Sequence, residues 1–269
     1  MIKLIAIDLD GTLLDDNKQI SERNKKALHE AKAKGVKIVL CTGRPLRAIE
    51  PILEELDLLD EGDFSITFNG GLVQKNDTGE VIEQAGMDVS DVHGLAAMAR
   101  ELDLPMDVLS DDTVIILNTS PTRLTIYPEL SPLLHREQAH AAELAADRLY
   151  NKVVVAYEQE YLDQQIQKIP TAVKEKYEVI KTRANLLEFM PKGVTKAYGI
   201  SLLARDLEIT QAEVMCIGDE ENDLPMIEYA GIGVAMANAI DIVKEAADVI
   251  TDSNEADGVA KVVEKYVLS

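Results

Sequence analysis

Ile5-Ala6-Ile7-Asp8-Leu9-Asp10-Gly11-Thr12-Leu13-Leu14 is the stretch that decides the fold. Residues 1–7 have the apolar profile of a fully buried strand, and the run stops at two carboxylates one residue apart. In open α/β sheets, ligands bind at the carboxyl ends of the strands. Two acids on that edge repel each other and need a proton or a cation. A hard divalent ion such as Mg2+ suits such oxygen donors. With the metal in place, one carboxylate can bind it and still present an oxygen as nucleophile. Taken alone, Asp-x-Asp reads equally well as a solvated acidic turn after a core strand. Gly11 tips the reading toward a site, because glycine lets the backbone approach closely.

Outward from this stretch, strands and helices alternate. Ser21 predicts the N-cap of a helix running to about Lys34, stopped by Gly35. Residues 36–40 read as a buried strand that ends in Cys41-Thr42-Gly43-Arg44-Pro45, with Pro45 in the first turn of the next helix. Residues 64–68 read as another strand, closed by the turn Asn69-Gly70-Gly71. Such alternation implies a parallel sheet with right-handed crossovers.

The texture changes over residues 85–190. Helices are predicted at 90–102, at 138–150 and from 163, strands at 114–117, 124–127 and 153–156, and extended chain over 178–189. No candidate catalytic residue falls there, which suggests a separate α+β module inserted into a core of residues 1–84 and 191–269. After the insert the alternation resumes. A helix is predicted at 196–205, a capping box at Thr210-Gln211-Ala212-Glu213, and a strand at 214–217 followed by Gly218-Asp219-Glu220-Glu221-Asn222-Asp223. Strands near 231–236 and 249–251 and a last helix over 256–266 complete the core.

At 269 residues the chain has room for one to two domains, and 46% apolar residues supply real cores. Its 27 basic and 48 acidic residues give a net charge of −21. That argues against nucleic acid as a partner and against an anionic membrane surface. No apolar stretch approaches the ~20 residues of a membrane span, and no signal peptide is read at the N-terminus. The two cysteines, Cys41 and Cys216, make no disulfide framework and fit a reducing cytoplasm. No oligomeric partner is read from the sequence.

Four strand ends thus carry candidate chemistry: Asp8 with Asp10, Thr42-Gly43-Arg44 opening a helix as an anion site, Lys196 after the insert, and Gly218-Asp219 with Asn222-Asp223. Each has a plain alternative in turn chemistry, a surface lysine or a polar loop. In order, and at plausible strand ends, they complement one another: acids for a metal, and metal, lysine and N–H groups for a phosphate.

In these motifs, and over its whole length, the sequence resembles the haloacid dehalogenase-like phosphohydrolases, Cof-type branch, and most closely the sugar phosphatases of that branch. The likeness rests on Asp8–Leu14, Thr42–Pro45, Asn69–Gly71, Ile217–Asp223 and residues 226–239. It implies an α/β fold: a Rossmann-like parallel-sheet core with an inserted α/β type 2 cap domain that closes over the core and selects the leaving group. It implies Asp8 as the nucleophile that becomes an aspartyl-phosphate, and Asp10 as general acid and then base. Mg2+ would be held by Asp8, the Asp10 carbonyl and Asp219, with Asp223 behind them orienting those ligands or Lys196. Thr42, Gly43, Lys196, Asn222 and the N–H of Leu9 would hold the phosphate, and Arg44 would reach substrate. The substrate would be a small phosphate ester. The family often has glycine after the motif lysine, where this chain has Ala197.

Two other enzyme or signalling classes share parts of this set. A phosphomutase would pass the same phosphoryl group to a second hydroxyl. A receiver-like phosphate-binding protein also pairs acids, Thr and Lys, but needs neither Asp10 in an acid role nor a long insert.

Overall fold

In the computed structural model, which describes residues 1–269, the elements run in chain order. First come β1 (Leu4–Ile7), α1 (Glu22–Ala33), β2 (Lys37–Cys41), α2 (Glu50–Glu55), β3 (Phe64–Thr67), β4 (Leu72–Lys75) and β5 (Val81–Gln84). Then follow α3 (Val89–Glu101), β6 (Met106–Ser110), β7 (Thr113–Ile116), α4 (Tyr127–Leu130), β8 (His135–Gln138), β9 (Lys152–Ala156), α5 (Gln159–Ile166), α6 (Thr171–Lys176), β10 (Tyr177–Arg183) and β11 (Leu186–Pro191). Last are α7 (Lys196–Asp206), β12 (Val214–Gly218), α8 (Leu224–Tyr229), β13 (Ile232–Ala235), α9 (Asp241–Ala246), β14 (Val249–Ile250) and α10 (Gly258–Val263). The chain divides into two compact units, residues 1–84 with 195–269 and residues 85–194.

The first unit is built on the sheet β14-β13-β12-β1-β2-β3-β4-β5. All neighbours are parallel except β3–β4 and β4–β5. Every residue of β1 is buried, as an apolar strand in mid-sheet requires. Its register sets Ile7 between Leu40 of β2 and Ile217 of β12. The chain winds away from β1 in both directions, so the sheet has its switch point there. Leu28, Ala31, Leu203 and Val263 join β1, β2 and β12 in one apolar core. This is the α/β core with a parallel sheet that the sequence implies.

The second unit carries the sheet β10-β11-β9-β6-β7-β8, antiparallel except for β7–β8. Met106, Val108, Val153, Val155, Leu187 and Phe189 share a second core with α3 residues Val92, Leu95 and Ala99. Here several local expectations fail. Residues 124–127 are not a strand: the Thr125 hydroxyl bonds Asp107 and accepts the N–H of Tyr127, which opens the short helix α4 with Pro128 in its first turn. Residues 138–150 are not a helix. His135–Gln138 pairs with β7, and the Glu143 carboxylate accepts the N–H of His140, closing a single turn before the chain extends at Leu144. Pairing and local side-chain bonds override the helix propensity of that alanine-rich run. Residues 178–189 are a hairpin of two strands rather than one extended run, and β6 is a strand the sequence reading lacks. In the first unit, Pro45 is extended (φ −72°, ψ 159°) and precedes a 3-10 turn at Leu46–Ala48. The helix therefore starts only at Glu50, with Pro51 in its first turn.

Candidate active site

The Asp8 N–H donates to the Ile217 carbonyl (3.0 Å), which carries the ladder one residue past β1 and sets Asp8 beside Gly218 and Asp219. The chain then turns sharply. The Leu9 carbonyl accepts the N–H groups of Thr12 (3.3 Å) and Leu14 (2.9 Å), and Leu9 itself is fully buried. Gly11 sits at φ +87°, where a Cβ would lie 2.3 Å from Asp219 Oδ2. Only glycine lets the two loops approach this closely.

Lys196 opens α7, whose N-cap Thr195 accepts the N–H of Tyr198. Its side chain is wholly buried, and its ammonium donates to Asp8 Oδ1 (2.5 Å) and Asp223 Oδ1 (2.6 Å). The other Asp223 oxygen accepts the N–H groups of Asp219 (2.9 Å) and Glu220 (3.0 Å). Thr12 donates its hydroxyl to Asp219 Oδ1 (2.6 Å). Both Asp223 oxygens are thus engaged by donors, whereas Asp8 and Asp219 each keep one oxygen that no protein group bonds.

Carboxylate oxygens of Asp8, Asp219 and Asp223 lie within 4.8 Å of one another. Three acids around one ammonium leave excess negative charge. Burial pushes Asp8 up to about 8 against the pull of Lys196, with Asp223 and Asp219 adding to the rise. Burial likewise pushes Asp219 up to about 7 against the pull of the Thr12 hydrogen bond, with Asp223 and Glu220 adding to the rise. Lys196 titrates above its usual range: burial opposes its charge, but Asp223 and Asp8 more than compensate. This donor set, all hard oxygens with uncompensated charge, fits a divalent cation of the Mg2+ kind.

Asp10 faces a different set of partners. Arg44 grips its carboxylate through Nε (3.1 Å) and Nη2 (2.6 and 2.7 Å), and Lys18 adds a bond of 2.9 Å. Burial alone would raise Asp10, but Arg44 and Lys18 hold it down at about 2. Thr42 lies at the end of β2, its N–H on the Ile66 carbonyl and its hydroxyl accepting the N–H of Arg44. Gly43 follows it, against the side chain of Asn69. Asn222 donates its amide to Asn69 Oδ1 (3.1 Å).

The fold therefore brings Asp8, Asp219, Asp223 and Lys196 into one bonded cluster, Asp10 and Arg44 into a second, and Asn222 and Gly43 to a common neighbour. Three contributors lie outside the sequence-derived set: Thr12, Lys18 and Asn69. Thr12 stood inside the leading motif and was readable as a hydroxyl at the strand end. Lys18 carries no local signal, and Asn69 is marked in the sequence as a turn residue and as part of the family likeness, without a role of its own.

The profile of the haloacid dehalogenase-like hydrolases (Hydrolase_3) matches residues 5–263. The chain belongs to that family. This haloacid dehalogenase-like hydrolase is 42% identical over 269 residues to the phosphatase-named protein YxeH of Bacillus subtilis (strain 168), covering 100% of both chains. It is 32% identical over 267 residues to the 5-amino-6-(5-phospho-D-ribitylamino)uracil phosphatase YcsE of the same organism, covering 99% of this chain and 96% of that one. Its fold matches the solved structure of the subclass IIB sugar phosphatase BT4131 with a TM-score of 0.81, at 28% identity and 98% coverage of each chain. The chain is an enzyme of the haloacid dehalogenase phosphatase type. No helix in it is long and apolar enough to cross a membrane.

Proposed function

We propose that this enzyme hydrolyses small phosphate monoesters, with sugar phosphates as the substrate class and Mg2+ as the cofactor, through an aspartyl-phosphate on Asp8. The observation that carries the reading is Asp8 itself: buried, oriented by Lys196 through one oxygen, and free at the other. That free oxygen attacks phosphorus as the bond to the leaving alcohol breaks. Asp10 supplies the proton to that alcohol and later takes one from the attacking water. Asp10 is ionised while Arg44 and Lys18 hold it, so it serves as acid only after both cations turn away to anionic groups of the substrate and it takes a proton from solvent.

Thr42, Gly43, Lys196, Asn222 and the Leu9 N–H hold the phosphoryl oxygens. Asp223 keeps Lys196 in place and presents no lone oxygen of its own. Mg2+, held by Asp8, Asp219 and the Asp10 carbonyl, would neutralise the charge between an anionic ester and an anionic nucleophile. The local positive field of Lys196 and the metal overrides the net charge of −21 only at short range, so no long-range steering of substrate is expected. The insert carries none of these residues, and we assign it the choice of leaving group. The free buried cysteines fit a cytoplasmic setting.

A screen of phosphate esters with Mg2+, scored by kcat/KM and repeated with chelator, tests the reading. It should include several sugar phosphates, p-nitrophenyl phosphate and 5-amino-6-(5-phospho-D-ribitylamino)uracil. Metal-dependent release of phosphate, highest with sugar phosphates, is the expected result. Transfer to a second sugar without free phosphate would make the enzyme a mutase, and full activity in chelator would remove the metal from the account.

A further inference from the structure

One buried side chain, that of Asn69, touches two of the loops that carry phosphate-holding groups. Its Oδ1 accepts the amide of Asn222 (3.1 Å). Its amide group fills the space over Gly43, where an added Cβ would lie 3.0 Å from Oδ1 and 3.1 Å from Nδ2. Its own N–H donates to the Thr42 carbonyl (3.0 Å). The next residue, Gly70, packs so close to the Thr195 carbonyl, just before Lys196, that no side chain fits there.

The backbone is forced to make this placement. Phe68 (φ 51°), Asn69 (φ 53°) and Gly70 (φ 99°) are three successive left-handed residues, two of them not glycine. Such conformations persist only where the surroundings over-determine them, and they cluster at functional sites. Glycine at position 69 would satisfy the backbone more cheaply. Asparagine tolerates it and adds an amide, and that amide is what meets Asn222 and Gly43.

We infer that Asn69 is a positioning residue for the transferred phosphoryl group. It fixes the Asn222 amide and the Thr42-Gly43 turn in the orientation that receives phosphate, without touching phosphate itself. This rests on the reading of Asn222 and Gly43 as phosphate-holding groups.

Asn69→Gly is the clean test, because it keeps the left-handed backbone and removes only the amide. Four proteins are compared with Mg2+ present: wild type, Asn69→Gly, Asn222→Ala and the double variant. The readouts are kcat and KM for p-nitrophenyl phosphate, calorimetric titration with inorganic phosphate, and Tm. Loss of one neutral hydrogen bond corresponds to about three- to tenfold in affinity. Asn69→Gly should raise KM and weaken phosphate binding by that factor while changing kcat less. In the Asn222→Ala background its effect should shrink but not vanish, because part of it acts through Asn222 and the rest through the Thr42-Gly43 turn. Unchanged KM and phosphate affinity would overturn the inference, as would losses that multiply in the double variant, or a fall in Tm with no change in affinity. Wild-type protein that binds phosphate but turns over no ester would sink the phosphatase reading, and the phosphate titration would still decide Asn69.

Discussion

Lys196→Met removes the one cation buried among the clustered acids. The ammonium sits 2.5 Å from Asp8 Oδ1 and 2.6 Å from Asp223 Oδ1, with no exposed surface. Breaking a buried ion pair by deleting one partner costs about 3–5 kcal/mol, because a charge is left unpaired. That is a large share of the roughly 5–15 kcal/mol that holds an ordinary domain folded. The acids can escape part of this cost by taking up protons. The loss should therefore be largest near pH 8, where Asp8 and Asp219 are otherwise losing theirs, and smaller near pH 5. Urea titration followed by thiol labelling of Cys41 and Cys216, both buried in the core unit, isolates the relevant transition. Phosphate release should fall by about 10²–10³, the usual cost of one preorganised donor. A labelling midpoint unchanged near pH 8 would show that the ion pairs do not hold the site together, and retained activity would remove Lys196 from the chemistry.

Other expectations follow from individual side chains. Asp10→Asn should still form phosphoenzyme with an activated aryl ester but stall on sugar phosphates, a gap of about 10²–10⁴ in the phosphorylation rate; rapid-quench kinetics showing equal losses on both would contradict the acid role. Asp107, on β6, is buried with Oδ1 unpartnered, and burial pushes it up to about 7 although the Thr125 hydroxyl pulls it down. The folded chain thus keeps a proton that the unfolded chain loses above about pH 4, so stability of this unit falls as pH rises from about 4 to about 7. Asp107→Asn should flatten that fall and gain at most about 4 kcal/mol near pH 8; parallel melting curves for wild type and variant across pH would refute it. Asp8 and Asp219, raised to about 8 and about 7, must give up their protons to bind a cation. Mg2+ affinity should therefore climb between about pH 6 and about pH 8, and chelator should lower Tm more at the upper end; calorimetry showing flat affinity would exclude those two acids as ligands.

The core was legible because its parallel strands are buried on both faces. Such strands read as unbroken apolar runs, so Ile7, Cys41 and Ile217 mark where chemistry begins. Asp8, Asp219 and Thr42 fall at those ends, and register does the rest. The insert was harder. Asp107 and Lys152, buried within its strands, interrupt the apolar pattern, and β8 is exposed throughout. Its pairing with β7 cannot be foreseen from its own composition. Loop-to-loop contacts were the least visible part. Nothing near Arg44 or Lys18 in sequence says that both will grip Asp10, and the Asn69–Asn222 contact spans 153 positions.

In the proposed reaction phosphorus becomes bonded to Asp8. Asp10→Asn protein mixed with p-nitrophenyl phosphate and Mg2+, quenched within the first turnover and reduced with borohydride, should convert the acyl phosphate to homoserine. Peptide mass mapping should then find that change at residue 8 and nowhere else, and Asp8→Asn should abolish it. Turnover without any reduced residue, or reduction at Asp219 or Asp223 in place of Asp8, would contradict the account.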